Sequence, residues 1–364
     1  MATLSLTNLT LPGYLKDLTL EVADREFLVL AGPFGCGATA ALRAIAGLDP
    51  IASGEIALAG KRINDLAPKD RDVAMVFQDD ALYPLMSVRE NMAFPLKLRK
   101  FPNPEIKRRI AETAAILEIE PLLSRKPPTL FRGERQRVSL ARAIVRQPKV
   151  FLFDEPLLDL DPATRPPMRT EILRLHQRIQ ATIIYATHDP VEAMTMGERL
   201  VILRDGLLQQ TGAPLHIYRQ PANLFVAAFL GAPPINLVHG KLRESGDTLS
   251  FKESNDGVIE LKLPDSPGLK PFAGREVIAG IRPEDIHIVT APAKPGAPRF
   301  RALLDVVELM GAETQAHIET GAHTLISRTA ATIGSEESGH RVQFEIDPAS
   351  IHLFDPETTL RITP

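Results

Sequence analysis

The sequence predicts an α/β domain followed by a smaller all-β domain. Between residues 27 and 187, apolar runs of strand type alternate with helix-compatible stretches, as in a sheet covered by helices. Beyond Ala232-Pro233-Pro234 the segments are short and alternate between apolar and polar residues, as at 277–281, 303–307 and 342–346. The chain has 364 residues, which is enough for two domains. We expect the domains to cover residues 1–235 and 236–364.

Composition excludes several functional classes. The net charge of −3 argues against nucleic acid as the main partner. No apolar run reaches the roughly 18 residues of a membrane span, and the N-terminus lacks the basic start and apolar core of a signal peptide. The single cysteine, Cys36, cannot form an internal disulfide. These features predict a cytoplasmic protein whose membrane role, if any, comes through another subunit.

A glycine-rich loop joins the first buried strand to the first helix. The apolar run 27–30 leads into Gly-Pro-Phe-Gly-Cys-Gly at 32–37, and a helix-compatible run follows at 40–46. Glycines let successive N–H groups face one point, at the positive end of the helix dipole. The P-loop pattern G-x-x-x-x-G-K-[ST] is matched at Gly32, Gly37 and Thr39, but Ala38 stands at the lysine position. The sequence predicts a phosphate cradle without its principal charge.

The remaining elements follow in order. Alternating residues at 4–31 predict short strands, and strands are also expected at 55–58 and at 73–77, ending at Gln78. Apolar positions at helical spacing predict a helical insertion at about 82–148. The apolar strand 150–153 is followed by Asp154 and Glu155. A helix at 162–180 precedes a strand at 181–186, which ends at Thr187-His188-Asp189.

Together these segments resemble an ATP-binding subunit of the ABC transporters. They most resemble the sugar and glycerol-phosphate importer type, in which a P-loop ATPase domain with a helical insertion precedes an OB-like domain of the TOBE or MOP type. The matching motifs are the Q-loop glutamine Gln78 in VFQDDALYPLMSVREN, the signature position LFRGE at 130–134, Walker B at Asp154-Glu155-Pro156, the D-loop Leu160-Asp161 and the switch histidine His188. The tail segments PANLFVAAFLGAPPIN, GIRPEDIHI and IHLFDPET also resemble this class.

The resemblance implies a role for each residue. Glu155 would orient or deprotonate the attacking water, His188 would contact the γ-phosphate, and Gln78 would couple the metal to the transport partner. Thr39, Gln78 and Asp154 would hold Mg²⁺. The residues implied in ATP binding are Gly32, Pro33, Gly35, Cys36, Gly37, Ala38, Thr39 and Ala40, with Gly133 and Asp161 acting in trans from a second subunit.

Several residues depart from the family pattern. Ala38 cannot neutralise phosphate charge, and Phe131 replaces the signature serine that would contact the γ-phosphate across a dimer interface. Arg132 replaces a glycine, and it could supply the missing charge in trans, as an arginine finger does. The aromatic residue that would stack on adenine has no clear position, although Tyr14 lies nearby. These changes predict slow hydrolysis, or none.

The functional hypotheses remain open at this point. The first is the ATP-binding subunit of an importer of a sugar, polyol or sugar-phosphate-like solute, with weakened hydrolysis. It would lie at the cytoplasmic face of the inner membrane. Its partners would be permease subunits docked on residues 83–91, a second ATP-binding subunit in a homo- or heterodimer, and a solute-binding protein. The alternative is a non-hydrolysing structural or regulatory subunit beside a competent ATPase. A soluble ABC ATPase acting on DNA or ribosomes is disfavoured by the acidic balance.

Overall fold

The computed structural model describes residues 3–79, 81–245, 248–264, 267–289, 298–330 and 338–362. The chain forms two compact units, residues 1–216 and 217–364. The domain boundary between residues 235 and 236 stays a prediction.

The first unit contains two sheets and six α-helices within its described residues. In chain order the elements are β1 (Leu4–Leu11), β2 (Leu15–Val22), β3 (Phe27–Ala31), α1 (Ala38–Ala46), β4 (Ser53–Leu58), β5 (Lys61–Arg62), β6 (Val73–Val76), α2 (Val88–Leu98), α3 (Asn103–Ile116), α4 (Arg132–Ile144), β7 (Val150–Asp154), α5 (Arg165–Ile179), β8 (Thr182–Thr187), α6 (Pro190–Thr195), β9 (Arg199–Arg204) and β10 (Leu207–Gly212). Helices α2, α3 and α4 lie between β6 and β7 and form the predicted helical insertion.

The central sheet has the strand order β10-β9-β3-β8-β7-β6. All neighbouring strands run parallel except β10, which is antiparallel to β9. Strands β3, β7 and β8 are buried along their whole length, which explains their continuous apolar sequences. Ala31 pairs with Thr187, and Asp154 pairs with Ala186, so the residues that follow these strands meet at one edge.

The second sheet of this unit is antiparallel, with the order β2-β1-β4-β5. The leucines of β1 and β2 are buried and pack with α1 and one face of the central sheet in a single apolar cluster. Their alternation is interrupted where the register of the two strands shifts, between Leu6 and Leu11. Helix α5 begins at Arg165, later than the predicted residue 162. The Asp161 carboxylate accepts hydrogen bonds from the N–H groups of Ala163 and Thr164, and this turn delays the helix.

The second unit is built mainly of β-strands. The short helix α7 (Pro214–Arg219) spans the boundary between the units, and α8 (Leu224–Phe229) lies near the start of the second unit. Its strands are β11 (Asn236–Ser245), β12 (Thr248–Glu253), β13 (Glu260–Lys262), β14 (Glu276–Ile281), β15 (Ile286–Ile288), β16 (Arg299–Leu309), β17 (Thr314–Glu319), β18 (Thr324–Thr329), β19 (His340–Ile346), β20 (His352–Phe354) and β21 (Arg361–Ile362). They form sheets of order β13-β12-β11-β14-β20-β21 and β15-β19-β16-β17-β18. Residues of both sheets share one apolar core, as the alternating sequence predicts.

Candidate phosphate-binding site

The glycine loop turns sharply between β3 and α1. Gly35 and Gly37 have φ angles of 79° and 108°, in the left-handed region that favours glycine. A side chain on Gly37 would also meet the backbone oxygen of Tyr14 at 2.5 Å. The N–H of Gly32 donates to the Thr187 carbonyl over 3.4 Å, and this bond ties the loop to the end of β8. The loop therefore presents its backbone at the N-terminus of α1, in the arrangement that binds phosphate.

Helix α1 is buried on all but one face. Of its residues only Thr39 and Arg43 are not buried, and their spacing of four places them on the same side of the helix. The Thr39 hydroxyl donates to Asp154 Oδ1 over 2.6 Å. Burial raises the pKa of the Asp154 carboxyl, while the Thr39 hydrogen bond and the charge of Arg43 lower it in part. A hydroxyl and a carboxylate converge here, and both are oxygen ligands of the kind that Mg²⁺ prefers.

Glu155 and His188 form a hydrogen-bonded pair. The distance between His188 Nδ1 and Glu155 Oε2 is 2.8 Å. Glu155 has a φ of 45°, which is uncommon for a residue with a side chain and typical of strained positions at functional sites. Burial raises the pKa of Glu155, and the neighbouring His188 offsets part of the rise. A carboxylate with a raised pKa is a stronger proton acceptor, which suits a general base.

Phe34 covers one face of His188. The two ring centroids are 3.8 Å apart and the rings are inclined by 30°. Phe34 is nevertheless 69% exposed, so its other face points to solvent. The loop and the switch histidine are therefore in direct side-chain contact, a link that the sequence analysis did not predict.

A cavity of about 280 Å³ lies against the loop. Its lining includes the P-loop residues Gly32, Pro33, Gly35, Cys36, Gly37, Ala38, Thr39 and Ala40. Tyr14, Arg43, Asp49, Glu155 and Thr187 complete the lining. Tyr14 is the aromatic residue of this lining, and it is 60% exposed. Cys36 is buried and burial raises its pKa, in keeping with a filler role and not a reactive thiol.

The other predicted site residues lie outside this lining. Gln78 is exposed and follows β6 by two residues, at the same edge of the sheet. Gly133 lies in the first turn of α4, and Asp161 precedes α5, where it caps a turn. The roles of Gly133 and Asp161 in trans stay predictions.

The signature segment begins α4 and departs from the family pattern at two residues that face solvent, Phe131 and Arg132. Phe131 at the start of α4 is 78% exposed, and its N–H donates to the Glu134 carboxylate over 2.9 Å. Arg132 forms an exposed ion pair with Asp159 at 3.5 Å. Glu134 therefore has a capping role within the chain, and Arg132 is held near the D-loop of its own chain.

Comparison with known proteins decides the family. The family model for the ABC transporter matches residues 15–158, the model for the MalK OB fold domain matches 231–286, and the model for the TOBE domain matches 279–354. The oligosaccharides import ATP-binding protein MsmX of Bacillus subtilis is 46% identical over 349 residues, covering 95% of this chain and 94% of the relative. The chain belongs to the ABC-transporter ATP-binding subunits. This confirms the family and the fold predicted from the motifs.

Other relatives of this ABC subunit agree. The sn-glycerol-3-phosphate import ATP-binding protein UgpC of Escherichia coli (strain K12) is 44% identical over 348 residues, covering 96% of this chain and 95% of the relative. The dimeric ABC transporter cassette MJ0796 has a TM-score of 0.52 at 29% identity, covering 58% of this chain and 98% of the cassette. Another dimeric structure of MJ0796 is bound to ADP and Pi. An ABC ATPase domain implies nucleotide binding.

Sequence analysis missed Arg43 and left Tyr14 unplaced. Arg43 had a usable signal, since it follows Thr39 by four residues in a helix otherwise composed of small and apolar residues. Tyr14 lies in the turn between β1 and β2, and only the tertiary fold brings it to the loop.

Proposed function

We propose that this ABC subunit binds ATP and couples its hydrolysis, at a weakened rate, to the import of a solute. The solute class is a sugar, a polyol or a sugar-phosphate-like compound. The names of the relatives support this class, because MsmX is described as an oligosaccharide importer subunit and UgpC as a glycerol-phosphate importer subunit.

One observation carries the proposal. The loop amides, the Thr39–Asp154 pair and the Glu155–His188 pair converge at one edge of the central sheet. Phosphoryl transfer requires phosphate binding, metal binding and an oriented water, and these groups provide a residue for each. ATP would bind at this edge through the loop amides, with Tyr14 beside the base, although Ala38 gives no charge.

The chain's own residues have distinct proposed tasks. The Thr39 hydroxyl and the Asp154 carboxylate would hold Mg²⁺, together with Gln78. When bound, Mg²⁺ neutralises phosphate charge. Glu155 would accept a proton from the attacking water. His188 would orient the Glu155 carboxylate through its Nδ1 and leave its other ring nitrogen for the terminal phosphate.

Assembly would complete the site. Gly133 and Asp161 are proposed to contact nucleotide bound to a second ATP-binding subunit, in a homodimer or a heterodimer. Phe131 would stand where the family uses a serine, and its apolar ring cannot donate a hydrogen bond to phosphate. Together with Ala38 this supports a slow rate of hydrolysis.

The segment 83–91 is the proposed docking surface for permease subunits, and most of its residues are at least partly exposed. Asn91 is fully buried and holds the segment in shape, since its side chain bonds Tyr83, Met86 and Ser87 backbone groups at 2.8–3.1 Å. Leu85 at its tip is 84% exposed. None of the helices in the described ranges is long and apolar enough to cross a bilayer. The proposed location is the cytoplasmic face of the inner membrane, with a solute-binding protein in the same complex.

Ala38 and the exposed Phe131 favour a second candidate function. The chain would then be a non-hydrolysing structural or regulatory subunit that pairs with a competent ATPase. Both candidate functions are compatible with the fold and the docking segment. They differ in whether Glu155 accepts a proton during ATP hydrolysis.

The test is purification of the tagged full chain from membranes of its own host, followed by assay of phosphate release. We expect permease subunits to co-purify and release to be slow but abolished by Glu155→Gln. Equal rates for the wild type and this variant would assign hydrolysis to another subunit and support the second candidate. Absence of any co-purifying membrane protein would contradict both importer assignments.

A further inference from the structure

Arg43 is the only Lys or Arg side chain among the described residues that line the P-loop cavity. We infer that Arg43 is a phosphate-binding residue that supplies in cis the positive charge absent at Ala38, and that its ligand is the phosphate chain of a nucleoside polyphosphate. This inference rests on the proposed nucleotide binding. It differs from the arginine finger considered for Arg132, because Arg43 belongs to the same chain and lines the same cavity as the loop that it would serve.

The position of Arg43 on α1 suits this task. Thr39 and Arg43 form the one face of the helix that is not buried. Four residues of α-helix advance about 6 Å, so the Arg43 backbone lies one turn beyond the loop. A long arginine side chain can span such a turn, and Arg43 is on the lining of the same cavity as Ala38 and Thr39.

The guanidinium already makes the type of contact that a phosphate requires. Arg43 Nε donates to Asp49 Oδ2 over 2.7 Å, and Nη2 donates to Asp49 Oδ1 over 2.9 Å. This bidentate fork fits carboxylate and phosphate equally well. The Nη1 nitrogen has no hydrogen-bond partner among the described residues. The side chains of Arg43 and Asp49 are 39% and 34% exposed, so both remain accessible to a ligand. A phosphate that binds Arg43 would have to compete with this bidentate carboxylate, which solvent screens only in part.

The charges around the cavity make the positive charge of Arg43 important for binding a polyphosphate. The cavity is lined by the carboxylates of Asp49 and Glu155, and Asp154 bonds Thr39 behind it. Arg43 interacts electrostatically with Asp154 and lowers its pKa against the effect of burial. Without Arg43 the lining would carry negative charge only, and it would repel a polyphosphate.

A purely structural role is the competing explanation. Asp49 follows Gly47, which ends α1 in the left-handed conformation at φ 77°, and the ion pair could simply fix this turn. The two explanations differ in the effect of Asp49. If the pair is only a clamp, removing either partner has the same consequence. If Asp49 competes with phosphate for Arg43, removing the Asp49 carboxylate leaves the guanidinium donors of Arg43 available to phosphate.

The experiment measures binding of ATP and of adenosine, each in the presence of Mg²⁺, to the purified full chain by calorimetry. We expect Arg43→Gln to weaken ATP binding about tenfold to a hundredfold and to leave adenosine binding unchanged. Asp49→Asn is expected to strengthen ATP binding by a few fold, and Ala38→Lys is expected to restore ATP binding in the Arg43→Gln background. Arg62→Gln is the matched control, because Arg62 lies on β5 away from the cavity lining and forms an exposed ion pair with Asp65.

The outcomes separate the hypotheses. Equal ATP affinity for the wild type and Arg43→Gln would overturn the inference and leave the proposed function intact. Parallel losses of ATP and adenosine affinity in Arg43→Gln and Asp49→Asn, with matching decreases in melting temperature, would identify a structural clamp and also overturn it. Absence of ATP binding by the wild type would overturn both the inference and the proposed nucleotide binding.

Discussion

Ala38→Lys restores the missing charge and gives the most informative perturbation of the loop. Ala38 is the first residue of α1, is only 6% exposed, and faces the cavity of about 280 Å³, so a lysine side chain has room to extend. A charge-assisted hydrogen bond contributes about 1.5–3 kcal/mol, which corresponds to about tenfold to 150-fold in affinity. We expect ATP affinity to rise by this factor and adenosine affinity to stay the same.

The same substitution has an expected cost. A positive charge at a helix N-terminus opposes the helix dipole by about 0.3–1 kcal/mol. The melting temperature of the chain alone should therefore fall, and ATP should raise it more than in the wild type. Calorimetry with ATP and adenosine, beside thermal unfolding, measures both effects. Ala38→Met is the matched control, because it adds length without charge. Equal ATP affinity of the Lys and Met variants would refute the electrostatic argument.

Further predictions concern the other side chains of the site. Burial raises the pKa of Asp154, so its ionisation destabilises the folded chain as pH rises from about 4. Without Mg²⁺, Asp154→Asn should therefore raise the melting temperature, and the difference from the wild type should grow with pH. A difference in melting temperature that does not depend on pH would contradict this. Tyr14→Ala should weaken ATP binding about tenfold to a hundredfold through loss of stacking, whereas Tyr14→Phe should not. Equal weakening by both variants would contradict stacking, and unchanged affinity in Tyr14→Ala would remove Tyr14 from the site. A double-mutant cycle of Phe34→Ser and His188→Ala should give a coupling of about 0.5–1.5 kcal/mol in the unfolding free energy; additive effects would show that the rings do not stabilise each other.

Local sequence was sufficient to predict the loop and the strand ends. The glycines, the adjoining buried strand and the helix start are contiguous, so their geometry depends on neighbouring residues alone. The proximity of Asp154 and His188 was predictable from the sequence, because each follows a buried strand and the carboxyl ends of parallel strands meet at one edge of a sheet. The structure places their strands side by side, as β7 and β8.

Contacts between distant side chains could not be predicted in this way. The stacking of Phe34 on His188 depends on the rotamers of residues far apart in sequence. The place of Tyr14 depends on the packing of the β1–β2 turn against Gly37, where a side chain would clash. Arg43 lies beyond the end of the motif, and its role becomes visible only when burial shows which face of α1 remains open.

The central claim is that the loop binds ATP without a lysine. It is tested most directly by calorimetric titration of Mg-ATP into the purified wild-type chain. We predict saturable binding in the micromolar to millimolar range that Tyr14→Ala weakens. Absence of saturable binding by the wild type, with binding by the Ala38→Lys variant, would contradict the claim and show an intact fold that has lost the use of ATP.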